Sequence, residues 1–364
     1  MAWMMGVAGM ALLAQGPGLK DVAPKGLLIG AAINGRQSSG GDAQATEIVA
    51  RHFNTITPEN LLKWEAVHPA ADNFVFEPAD RFVDYAKQHG LVAIGHVLVW
   101  HQQTPKWVFE SAPGVPATKD ELLARMKDHI TRVMGRYRGR IHGWDVVNEA
   151  LEEDGSLRKT PWLTIAGEEF IAKAFEYAHA VDPDAELYYN EYNLWKPEKR
   201  AAAIRLVTSL RDKGLRVDGI GEQAHWHIEV PTGAEIDATL GDIAKAGLKT
   251  YLTELDVDVL PRDPDMWGAD LSKKAKIREA TNLYPSGLPP EQQAKLAKRY
   301  AEIFGLVLKH RDSVRRVTFW GVTDRTTWLH NFPIPGRVNY PLLFDREGQP
   351  KPALDAVVRV LQGK

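Results

Sequence analysis

There is no cysteine anywhere in the 364 residues. That one absence excludes disulfides, thiolate metal sites and cysteine nucleophiles together. Charge of either sign is not in excess: 45 basic residues stand against 47 acidic ones, for a net charge of −2. A balance like this gives no reason to expect a nucleic-acid or anionic-membrane partner. No uninterrupted apolar run is long enough to span a bilayer. Internal repeats, low-complexity tracts and Pro/Ser/Gly-rich linkers are missing too, which favours a single main domain. Tryptophan, by contrast, is abundant at 11 residues, and several of these rings sit beside polar residues, where a flat ring commonly serves as a stacking surface.

The N-terminal stretch Met1–Ala14 is apolar, rich in small residues and uncharged. Two readings of residues 1–16 stand side by side: the remnant of a secretory signal without its basic front, or an N-terminal helix packed on the domain. The first implies a secreted or periplasmic protein. Residues 17–364 then form the body of the chain.

In that body, apolar strand-like runs alternate with amphipathic segments. The strand candidates are Leu27–Ile33, Phe53–Thr57, Val92–Trp100, Ile141–Asn148, Glu186–Asn190, Gly219–Ala224, Lys249–Glu254 and Val314–Gly321. Helical spacing is clearest over Glu168–Val181 and Glu291–Lys309, and Lys351–Leu361 reads as a closing helix. Eight βα units in this length predict an α/β fold, a single (β/α)8 TIM barrel with its site at the C-terminal ends of the strands. The longest irregular piece, Asp256–Pro289, falls on that side of the barrel. Its charge run Lys273–Glu279 reads as a solvated face.

Two strands end in a way that buried strands normally avoid. Gly143–Glu149 finishes on Asn148 and Glu149, and Lys249–Asp256 carries Glu254 and Asp256. Such groups are costly at these positions unless they face a cleft. In a barrel the two glutamates converge on one mouth, and a pair of carboxylates there is the equipment of glycosidic bond cleavage. Alternation along strands puts Gln223 and His225 on one face and Glu254 and Asp256 on another. His225, placed between the two acids, would hold Glu254 ionised as a nucleophile, leaving Glu149 as proton donor with its pKa raised by the nearby negative charge. Against this stands the plain fact that a lone histidine is more often structural. Asn148 is placed to donate to a sugar hydroxyl. His96 and His101 lack a third ligand at metal spacing, so hydrogen bonding is the better reading for them.

The ordered motifs Phe53–Asn60 with Lys63-Trp64, Gly95–His101, Trp144–Glu149, Leu187–Tyr192, Gly219–His225, Leu252–Asp256 and Phe319–Val322 with Asp324 and Trp328 resemble glycoside hydrolase family 10 endo-β-1,4-xylanases. The likeness runs from about Leu19 to Leu361. It implies endo-acting hydrolysis of xylan by retaining double displacement, with Glu149 as acid/base and Glu254 as nucleophile. His225 and Asp256 become catalytic support. Glu59, Asn60, Lys63, His96, Trp100 and Gln223 match residues that hold sugar on the glycone side, where Trp320 and Trp328 form a wall, and Asn190 matches a position near the aglycone side. No metal or organic cofactor is implied, the partners are xylan and xylo-oligosaccharides, and a monomer is expected. Two rivals remain: a barrel hydrolase acting on cellulose, mannan or aryl glycosides, and a sugar-binding protein with a dormant barrel, which would be expected to have lost one of the acids.

Overall fold

The computed structural model describes residues 16–262, 266, 269–270 and 282–364. The Met1–Ala14 stretch and the Lys273–Glu279 charge run therefore lie outside the described residues. Eight parallel strands form the barrel: β1 (Leu28–Ile33), β2 (Thr55–Pro58), β3 (Val92–Val99), β4 (Gly143–Asn148), β5 (Glu186–Glu191), β6 (Gly219–Glu222), β7 (Lys249–Asp258) and β8 (Val314–Phe319). Each pairs with the next, and β8 pairs with both β7 and β1, which closes the ring. All eight predicted strands are present, displaced by no more than a few residues at their ends.

The strands are apolar because both of their faces are covered. Outward-facing residues pack under helices such as Lys119–Arg136, Glu169–Val181 and Pro290–Lys309. The three predicted helices lie where periodicity put them, the last running Pro352–Leu361 with proline in its first turn. Lys119–Arg136 begins with a reciprocal cap in which the Thr118 hydroxyl accepts from the Glu121 N–H and Glu121 accepts from the Thr118 N–H.

Sequence periodicity gave no sign of a small antiparallel hairpin, Glu110–Ala112 with Val115–Pro116, or of a short extra strand, His225–His227. The extra strand arises because β6 stops at Glu222 and the chain passes through a left-handed residue, Ala224 (φ 62°), before resuming beside β7. Register also slips near the mouth, between His96 and Val99 on β3, Asp145 and Val147 on β4, and Leu252 and Leu255 on β7. Such bulges re-aim side chains next to active sites. Among the described residues, no helix is long and apolar enough to cross a membrane.

Candidate active site

At the C-terminal ends of the strands a cleft is lined by Glu59, Asn60, Lys63, His96, Trp100, Asn148, Glu149, Gln223, His225, Glu254, Trp320 and Trp328, joined by Gln103 and Ala269. Twelve of the fourteen residues singled out from sequence thus reach one cavity. Asp256 stands behind His225, and Asn190 lies beneath the floor.

Glu149 follows the last residue of β4 and holds a left-handed conformation, φ 57°. A side-chain-bearing residue rarely adopts this without being held there, and such outliers cluster at functional sites. Its carboxylate accepts from Trp100 Nε1 (2.8 Å), Gln223 Nε2 (2.9 Å) and Asn148 Nδ2 (3.2 Å). Burial nevertheless pushes its pKa up, and the charge of Glu254 adds slightly. The bonds from Gln223 and Trp100 and the charge of Arg158 pull it down and are outweighed. Enclosure, more than the neighbouring negative charge expected from the sequence, causes this shift.

Glu254 sits in the β7 bulge in equally complete burial, yet its pKa moves the other way. Burial raises it. The hydrogen bond from His225 and the charges of His96, His225 and Lys63 outweigh that and hold it ionised. His225 bridges the two acids of β7, with Nε2 3.1 Å from Glu254 and Nδ1 3.0 Å from Asp256. Asp256 also accepts from Trp328 Nε1 at 2.7 Å. For His225 burial alone lowers the pKa, but Asp256 and then Glu254 push it up to about 9, so the imidazolium is the resting form at neutral pH.

Asn190 on β5 links Glu254 to Asn148, which in turn donates to Glu149. Its Nδ2 donates to Glu254 and to Asn148 Oδ1, both at 2.9 Å, while its Oδ1 accepts from the Thr253 hydroxyl at 2.7 Å. The side chain is fully enclosed and spent on protein partners. The structure therefore gives it to the scaffold of the carboxylates, in place of the sugar contact expected from sequence. Gly221 makes room for it: a Cβ there would lie 2.3 Å from Asn190 Oδ1.

One wall is polar and cationic. Lys63 donates to Asn60 Oδ1 (2.9 Å) and lies 5.0 Å from the Trp100 ring centre. Burial lowers its pKa against the pull of Glu254, Glu59 and Glu149. The pKa of Glu59 is raised by burial, with Lys63 and Asn60 opposing. His96 Nδ1 meets Asp145 Oδ2 at 2.9 Å, which turns the other ring nitrogen toward the cleft. The indoles of Trp320 and Trp328 complete the lining. Trp320 stands edge-on to His96, and Trp328 lies 4.7 Å from the His225 ring. Gln223 Oε1 is buried without a protein partner among the described residues. Aromatic faces set among convergent amides, a lysine and carboxylates suit a ligand that is flat, neutral and rich in hydroxyls.

Three residues of this machinery escaped the sequence reading: Asp145, Thr253 and Arg158. Asp145 carried a usable signal, because a charge in the middle of a buried strand requires a partner. Thr253 and Arg158 carried none: the partner of Thr253 lies on β5, which only the closed ring brings near it, and the partners of Arg158 are set by a turn.

The family model for "Glycosyl hydrolase family 10" matches residues 18–360. Endo-1,4-beta-xylanase A of Xylanibacter ruminicola is 39% identical over 346 residues, covering 95% of this chain and 94% of that protein. An endo-1,4-beta-xylanase of Geobacillus stearothermophilus is 42% identical over 347 residues, covering 94% and 98%. A solved GH10 endoxylanase retrieved from a sugarcane soil metagenome superposes with a TM-score of 0.89 at 44% identity, over 94% of this chain and 99% of that one. With the match spanning nearly the whole barrel and both carboxylates in place at its mouth, the chain belongs to glycosyl hydrolase family 10.

Proposed function

We propose that the protein cuts internal β-1,4-xylosidic bonds of xylan with retention of configuration, Glu254 serving as nucleophile and Glu149 as acid/base. The observation that carries this reading is two enclosed carboxyls facing one cleft with unlike partners. Glu149 is held by Trp100, Gln223 and Asn148, and biased by burial toward its protonated form. Glu254 is held by His225 and Asn190 and, despite burial, biased by His225 toward its ionised one. Opposed environments of this kind divide acid from nucleophile. The xylanase names of the similar proteins supply the substrate class.

In the first step Glu254 attacks the anomeric carbon while Glu149 gives its proton to the departing glycosidic oxygen. The bond to that oxygen breaks and a glycosyl ester of Glu254 forms. Glu149, now ionised, takes a proton from water, the water attacks the same carbon, and Glu254 leaves as carboxylate. His225 keeps Glu254 ionised between turns, with Asp256 and Trp328 fixing the imidazole. Asn148 faces the cleft with its carbonyl already taken by Asn190 and Gln223, so its amide is oriented toward Glu149 and the sugar beside it.

Product analysis on xylan, cellulose and mannan tests the proposal. Early release of mixed xylo-oligosaccharides from xylan, well above release from the other two, is expected. Negligible release from xylan, or release of xylose alone from chain ends, would defeat it.

A further inference from the structure

We infer that Arg158 is the positioning residue for the proton donor, holding the main chain of Glu149–Leu151 in the left-handed turn that aims the Glu149 carboxyl into the cleft. The inference rests on Glu149 being the acid, as proposed above.

Glu149 leaves β4 at φ 57°, a conformation its side chain disfavours and the surroundings must therefore enforce. Three successive carbonyls meet one residue there. Arg158 Nε donates to Glu149 O at 3.0 Å, its own backbone N–H to Ala150 O at 2.8 Å, and its Nη2 to Leu151 O at 3.0 Å. Nη2 also donates to the Tyr192 hydroxyl at 2.7 Å, which fixes the plane of the guanidinium, and Nη1 lies 3.4 Å from Glu152. The remaining ties come from β5: Glu149 N–H donates to Asn190 O and Leu151 N–H to Glu191 Oε2. The arginine side chain is 10% exposed, so these bonds form largely away from water.

A planar fork is what this task requires. It reaches two carbonyls two residues apart in fixed directions, whereas a lysine ammonium is a single centre on a flexible stem. Arg158 does not line the cleft. Its influence reaches the reaction through the turn, and misplacing an acid by a fraction of a bond length matters most where protonation is hardest.

The test compares the wild type with Arg158→Lys and Arg158→Met on two substrates, xylan and a dinitrophenyl β-xylobioside whose leaving group needs little protonation. Glu149→Ala serves as the benchmark for a lost acid, and the melting temperature is recorded for each variant. Arg158→Lys keeps charge and bulk, so it carries the test even where Arg158→Met fails to fold. The expected result is a fall in kcat/KM on xylan of about 10–100-fold for both folded variants, as for a misplaced catalytic group. On the aryl substrate kcat/KM, which reports the first step alone, should stay largely intact, while kcat falls because Glu149 also activates the water of the second step. Equal losses of kcat/KM on the two substrates, or none on either, would overturn the inference. A wild type inactive on both would sink the proposed function itself, a distinct outcome.

Discussion

The two ends of the barrel both enclose ionisable groups, and they treat them in opposite ways. At the floor Glu186, at the start of β5, accepts from the hydroxyls of Tyr188 (2.5 Å) and Tyr251 (3.1 Å). Arg316 lies over both rings, 4.9 and 5.1 Å from their centres. Burial raises the Glu186 pKa, but the neighbouring His142 ring, 3.6 Å away, and the tyrosine hydroxyls bring it down to about 2. None of these floor residues has positive φ. At the mouth the carboxyls of Glu149 and Glu254 are pushed in opposite directions, and Glu149 and Ala224 are left-handed. The floor satisfies Glu186 and closes the ring. The mouth keeps two carboxyls unlike each other and open to a ligand, and most of the register slips lie there with left-handed Glu149 and Ala224, although β7 also slips at the floor, between Thr250 and Tyr251.

If that contrast is real, substitutions at the mouth should alter chemistry and substitutions at the floor only stability. The largest effect is expected from Glu254→Ala, which should abolish turnover of xylan. Added azide should then yield an α-configured glycosyl azide from an activated substrate, read by NMR, and residual wild-type turnover would break the assignment. Next comes Glu149→Ala, with a loss in kcat/KM of roughly 10²–10⁴-fold on xylan but much less on a dinitrophenyl substrate, whose kcat falls because the second step has lost its base. Matched losses of kcat/KM on the two substrates would count against a proton donor.

His225→Asn should act through Glu254. Removing the bond and charge that lower the Glu254 pKa lets burial raise it, so the acidic limb of kcat/KM should move to higher pH. A superimposable profile would make His225 merely structural. A stability signature accompanies this. The folded pKa of His225 is about 9, above the unfolded value of 6.5, so its contribution is complete below 6.5 and lost as pH rises through 9. The melting-temperature gap between wild type and variant should therefore narrow from pH 6 to pH 9. The smallest effect belongs to the floor: Tyr251→Phe removes one bond to Glu186 and should cost about 1 kcal/mol in denaturant unfolding, with kcat on xylan unchanged. A change in kcat would mean that the two ends are coupled.

Much of the mouth was legible because its residues break the rules of the strands that carry them. Asn148, Glu149, Glu254 and Asp256 are polar interruptions of apolar runs, and alternation alone paired His225 with the acids of β7. The pairing survived although β6 is interrupted, because left-handed Ala224 returns the chain to the side of β7 with Asp256 opposite His225. What alternation does not encode is the bulges. The slips on β3, β4 and β7 decide which side chains enter the cleft and which, like Asn190, are folded beneath it. Arg158 lay further out of reach, since its partners are backbone carbonyls and nothing in their side chains marks them. The floor was illegible for another reason: Tyr188, Tyr251 and Arg316 read as strand residues of ordinary kinds, and only closure of the ring brings them together.

The most direct measurement is the anomeric configuration of the first product released from xylan or xylohexaose, followed by proton NMR before mutarotation scrambles it. Attack by Glu254 followed by water predicts the β-anomer at the earliest time points. An initial α-anomer would mean that water attacks directly, and the assignment of Glu254 as nucleophile would be wrong.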